Sequence, residues 1–110
     1  MSRPDHVTIF GEAWELVWSD DSIIFSNDES VGFTDLVRRR LHVYCGERPE
    51  AAVKRIACHE IGHAIVNAYG IVVPPHLDAD NREEAFVAQW AGAWHQVTVD
   101  NPEFIDWLYE

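Results

Sequence analysis

Between Pro49 and Gly70 the chain carries Ala52, Val53, Ile56, Ala57, Glu60, Ile61, Ala64, Ile65 and Ala68, a mostly apolar series recurring every three or four positions. Only an α-helix brings such a series onto one face. A proline suits the first helical position, where its missing N–H has no partner to lose, and a glycine just past the last turn ends the helix. The spacing therefore predicts one well-defined helix over 49–69, against which the rest of the chain packs.

The segments before it have strand character. Residues 7–10, 13–18 and 22–25 are short and rich in β-branched and aromatic side chains, with a turn at Ser19-Asp20-Asp21. After the polar, turn-like stretch 27–30, Gly32-Phe33-Thr34-Asp35 leads into 37–45. There Leu41, Val43 and Cys45 alternate with Arg40, His42 and Tyr44, the pattern of a half-buried strand. Beyond the helix, 71–75 is an apolar exit loop stiffened by Pro74-Pro75, and Asp78-Ala79-Asp80-Asn81 is a capping region that opens a helix over 82–97. A third helix begins with Asn101 as N-cap, Pro102 at the first position and Glu103 in the first turn, and runs to the end. The expected fold is α+β: a small antiparallel sheet packed on the central helix, with two further C-terminal helices, in one domain over 1–110.

Composition narrows the function. Eight Lys and Arg against nineteen Asp and Glu give a net charge of −11, a field that opposes phosphates and anionic lipid, so direct nucleic-acid binding is not expected. A hydrophobic content of 47% with five tryptophans supplies a core and excludes the disordered class. Cys45 and Cys58 are too few for a disulfide framework, the first residues lack a signal-peptide pattern, and no apolar run approaches the roughly 20 residues that cross a bilayer. A cytoplasmic setting and no membrane association are expected.

Inside the central helix lies Cys58-His59-Glu60-Ile61-Gly62-His63, which contains the pattern HExxH. Helical residues four apart share a face, so the imidazoles of His59 and His63 reach one Zn²⁺ at roughly 2.0–2.1 Å. Glu60 follows the first ligand, close enough to take a proton from a water at the metal without becoming a ligand, and is the candidate general base. Histidines buried and satisfied without metal are the alternative reading. A site that keeps a position for water needs a third protein ligand, and Glu83 and Glu84, 20 and 21 residues after His63, are the candidates. Both precede the stripe Val87, Trp90, Ala91 and Trp94 expected to face the core, and periodicity does not separate them.

Over roughly 32–107 these features resemble the ImmA/IrrE-like zinc metallopeptidases, and more closely their small phage-encoded relatives. The resemblance is carried by Gly32-x-Thr34-Asp35, the strand 40–44, Pro49-Glu50, the HEIGH core 59–63, Glu83-Glu84-x-x-Val87 and Asp100-Asn101-Pro102-Glu103-Phe104. In that family the third ligand is often a Glu followed at +6 and +7 by an aromatic residue and Ala. Trp90 and Ala91 stand at those distances from Glu84, which favours it over Glu83, whereas Ala88 at +4 departs from the polar residue that braces a histidine. The resemblance implies a gluzincin-type site in which His59, His63 and Glu84 hold Zn²⁺, a water takes the fourth place and Glu60 removes its proton. Hydrolysis of a peptide bond in a host or phage protein follows, in the host cytoplasm if the chain is phage-encoded. Tyr69, His76 and His95 are the candidate donors to the developing oxyanion, with nothing to separate them.

Two other functions fit the residues. A body of 110 residues has little room for a substrate cleft, which favours a zinc-binding interaction protein without catalysis. The charge of −11 fits an acidic protein that imitates DNA and blocks a basic partner. Of the remaining features, Arg38-Arg39-Arg40 with Arg48, Lys54 and Arg55 reads as a solvated, protected strand edge rather than an anion site. Trp14, Trp18, Trp90 and Trp94 read as core rather than as a peptide groove, and Cys58 as small buried filler.

Overall fold

The computed structural model describes residues 2–20 and 31–110. Four strands, β1 (His6–Ile9), β2 (Glu12–Ser19), β3 (Gly32–Asp35) and β4 (Arg40–Tyr44), precede three helices, α1 (Glu50–Ala68), α2 (Ala79–Asp100) and α3 (Pro102–Leu108). The fold is α+β, as expected, but the sheet is mixed. Its order is β1-β2-β4-β3, with β1–β2 and β3–β4 antiparallel and β2–β4 parallel.

The parallel β2–β4 pair corrects the expected antiparallel sheet, because the alternation that marks a strand's buried face does not set the direction of its neighbour. β4, with Leu41 and Val43 fully buried, lies in the interior of the sheet between β2 and β3. The four-residue β3, with a glycine and an aspartate at its ends, sits beside it at the margin. Sequence alternation found β4 but merged β3 into its approach. Residues 36–39 form a turn between the two strands, with Asp35 Oδ1 accepting from the amides of Val37 and Arg38 at 3.1 and 3.0 Å. The expected strand 22–25 and polar turn 27–30 lie outside the described residues.

Phe10 leaves the first strand for the turn. It and Gly11 take φ of +51° and +75° between Ile9 and Glu12, which face each other across the hairpin, and this double positive φ suits a two-residue connection. The Phe10 ring then packs on Tyr69, with centroids 4.9 Å apart.

One face of the sheet buries Val7, Ile9, Trp14, Leu16, Leu41 and Val43. Against it α1 presents Val53, Ala57, Ile61, Ala64 and Ile65, in the phase its sequence sets, and α3 adds Phe104 and Trp107. Pro49 stands just outside α1 in extended conformation, and Gly70 at φ +62° ends it. The second helix begins earlier than expected, because Asp78 is its N-cap and accepts from the Asn81 amide at 2.9 Å.

The expected core stripe of α2 is corrected. Its buried residues are Ala93 and Val97, Trp90 and Trp94 are only partly covered, and Val87 and Ala91 are exposed. The helix meets the body through its C-terminal half, so a stripe reaching back to 87 runs off the core. Asn101 stands at the N-cap of α3 with Pro102 and Glu103 in the first turn, as expected, but its side chain makes no capping bond there. It is buried, donates to Thr8 O and Val97 O at 2.7 and 2.8 Å, and accepts from the Thr8 amide at 2.6 Å, tying the end of α2 to β1.

Candidate functional site

The helix α1 separates the HExxH side chains by burial. His59 and His63 are exposed, whereas Glu60, one residue on from His59, falls within the buried stripe between Ala57 and Ala64 and is only 7% exposed. The pair is therefore outside the core, although the two rings lie within hydrogen-bonding distance of each other. Their Nε2 atoms are 3.2 Å apart and their rings edge-to-face at 84°. Two nitrogens bound to one tetrahedral Zn²⁺ at 2.0–2.1 Å stand about 3.3–3.4 Å apart, so the pair already has close to a chelating separation.

The carboxylate of Glu60 is received by β3. Register pairs Gly32 with Val43 and Thr34 with Leu41, and partners across a ladder share a face. Gly32 and Thr34 therefore lie on the side of the sheet that faces α1. Thr34 Oγ1 donates to Glu60 Oε1 at 2.7 Å and also lies 3.2 Å from the Glu60 carbonyl oxygen. At Gly32 a Cβ would stand 2.5 Å from Glu60 Oε2 and 2.8 Å from Cδ and Cγ, so any side chain there meets the carboxylate. A buried carboxylate is costly without a donor, and Thr34 supplies one.

A cavity of about 510 Å³ opens between β3 and α1, lined among others by Gly32, Thr34, Leu36, His59, Glu60 and His63. The two imidazoles and the carboxylate thus face one space. The third expected ligand does not join them. Among the described residues no three His, Cys, Asp or Glu side chains stand close enough to hold one ion, so neither Glu83 nor Glu84 completes a set with His59 and His63. Both are exposed near the start of α2. That helix approaches α1 at Trp90, whose ring lies 3.8 Å from where a Cβ on Gly62 would stand, and Glu84 is six residues, roughly 9 Å, further along it. The residues present fit two ligands of the expected metal site and leave the third apart.

Compared with protein-family models, curated proteins and solved structures, the chain matches none. The reading of this site therefore rests on its own geometry.

The candidate oxyanion donors lie elsewhere: Tyr69 OH is buried with no hydrogen-bond partner among the described residues, His76 is exposed in the α1–α2 loop and His95 is exposed on α2, and none lines the cavity. Cys58 is partly buried, and burial pushes its thiol up, away from the reactive thiolate. The three consecutive arginines are exposed and each paired with an acid, Arg38 with Asp35, Arg39 with Glu12 and Arg40 with Glu15, but the expected strand edge is corrected: Arg38 and Arg39 lie in the β3–β4 turn and Arg40 begins the interior strand β4. Trp14 is core, and the partly buried Trp18 donates to Pro4 O at 2.7 Å. Among the described residues no helix is long and apolar enough to cross a membrane.

Sequence reasoning placed Gly32 and Thr34 in a motif but gave them no role. Their side of the sheet follows only once the hairpin register is known, which pairs positions 34 and 32 with Leu41 and Val43.

Proposed function

We propose that the chain is a zinc-dependent peptidase of gluzincin type, with a zincin-like packing of its HExxH helix on the sheet, acting on a protein or peptide. The observation that carries this reading is the chelating separation of His59 and His63, with the buried Glu60 carboxylate lining the same cavity. His59 and His63 would hold Zn²⁺, and Glu84, with Glu83 as its alternate, is the proposed third carboxylate. A bound zinc ion supplies Lewis acidity, polarising a carbonyl and making water a better nucleophile near neutral pH. This chain's part is proton transfer: Glu60, held at the cavity wall, takes a proton from the attacking water and delivers it to the leaving amine. Leu36 and Val66, both exposed apolar residues at the cavity lining, offer contact to apolar side chains.

The test joins two measurements on the full chain. Zinc content should be one per chain and fall with His59→Ala. Hydrolysis of a quenched-fluorescent peptide pool should fall by roughly a hundredfold or more in Glu60→Gln while zinc is retained, the scale of a lost general base. A second reading, zinc binding without catalysis, is favoured by the separation of Glu84 from the histidines. Under it wild type and Glu60→Gln both hold zinc and neither cleaves.

A further inference from the structure

We infer that β3 is a positioning element for the Glu60 carboxylate, with Thr34 and Gly32 as two separate devices: a hydroxyl that anchors one oxygen and an absent side chain that makes room for the other. The catalytic consequence rests on the peptidase reading; the positioning itself does not. Thr34 Oγ1 reaches Glu60 Oε1 at 2.7 Å, a hydroxyl-to-carboxylate bond of the stronger, charge-assisted kind. It fixes one oxygen from the sheet side, while the backbone of α1 fixes Cα from the other. The gap at Gly32 acts on the same group, since an added Cβ would overlap Oε2, Cδ and Cγ at 2.5–2.8 Å. A carboxylate on three rotatable bonds has many conformers, and a hydroxyl plus a shaped wall leave it one. Both devices lie on a single four-residue strand two positions apart, so strand parity alone aims them at α1. A general base placed this way spends little on ordering when a water arrives, and neither residue needs to touch substrate or metal. Thr34 and Gly32 are thus positioning residues.

Three variants of the full chain separate this role from a merely structural one. Thr34→Val removes the hydroxyl at nearly constant shape, Thr34→Ser restores it, and Gly32→Ala keeps the hydroxyl but displaces the carboxylate, which is the movable end of a side chain. The readouts are the ¹³Cδ signal of Glu60 in glutamate-labelled protein, assigned through Glu60→Gln, and kcat and KM of the zinc-loaded enzyme on the peptide pool. Thr34→Val and Gly32→Ala should each move the Glu60 signal and lower kcat by roughly tenfold to a hundredfold at unchanged KM, and Thr34→Ser should resemble wild type in both. An unmoved Glu60 signal in Thr34→Val and Gly32→Ala overturns the inference, as does a Thr34→Ser variant no better than Thr34→Val. Should wild type hydrolyse nothing, the peptidase reading falls, and the carboxylate signal by itself decides the positioning.

Discussion

The helices α1 and α2 are nearly equal in length, 19 and 22 residues, and are used in opposite ways. The first buries six side chains spread from Val53 to Ile65, whereas the second buries two, Ala93 and Val97, both in its C-terminal half. The difference decides where precise chemistry can be built. His59, Glu60 and His63 stand on a helix whose next-door residues are locked in a dry core, so their backbone is held to the tolerance of that packing. Glu83 and Glu84 stand on a helix segment with no buried residue, and the structure leaves them apart from the pair they were expected to join.

The largest effect expected from this contrast is on stability. Ile61, 1% exposed beside Glu60, should cost about 2–5 kcal/mol when cut to Ala, while Val87, 49% exposed on α2, should change stability by no more than about 0.5 kcal/mol. Urea denaturation of Ile61→Ala and Val87→Ala measures both, and comparable losses would break the contrast. Next comes Asn101, the buried polar residue just past the end of α2. Asn101→Ala orphans the Thr8 amide and carbonyl and removes a second donor from the Val97 carbonyl, and should cost about 2–3 kcal/mol in the same assay. A negligible cost would mean that the end of α2 is held by Ala93 and Val97 alone.

The smallest effect concerns how the helices start. Glu50 opens α1 and meets Arg3 at 2.9 and 3.0 Å, and that hydrogen-bonded guanidinium holds its carboxyl below the usual range, against a smaller opposing effect of burial. With a folded pKa below the unfolded one, the contribution is whole above the unfolded pKa, near 4.3 for a glutamate as a rough reference, and is lost as pH falls through the lower folded value. Because the pair is half exposed the effect is small. Thermal unfolding from pH 6 to pH 3 should show a slightly shallower decline for Glu50→Gln than for wild type, and identical slopes would remove Glu50 from the account.

The same contrast marks what could be read from the sequence. The first helix was legible to within a residue or two because its periodicity, its proline and its glycine agree, and β4 because Leu41 and Val43 alternate cleanly with polar neighbours. The closeness of the His59 and His63 rings followed from helical spacing alone. The parallel neighbour of β4 was not legible, since alternation says which face of a strand is buried and nothing about its partner. Nor was the reach of the α2 stripe: Val87 fits the apolar period as well as Val97 does, and only the extent of the core beneath them separates the two. Asn101 was legible as the N-cap position of α3, but its side-chain partners were not, because the β1 backbone that takes them is distant in sequence. Thr34 was visible as a residue, but its bond to Glu60 depends on a hairpin register that the sequence does not state.

The central claim, that the HExxH turn of α1 is a metal site, is met most directly by zinc-edge X-ray absorption on the zinc-loaded full chain, with His59→Ala and Glu84→Gln beside it. The account predicts two imidazole nitrogens per zinc and otherwise only oxygen ligands in wild type. One imidazole should be lost in His59→Ala, and the coordination shell should change in Glu84→Gln. Substoichiometric zinc, a shell containing sulfur, or a wild-type spectrum unaltered by His59→Ala would contradict it.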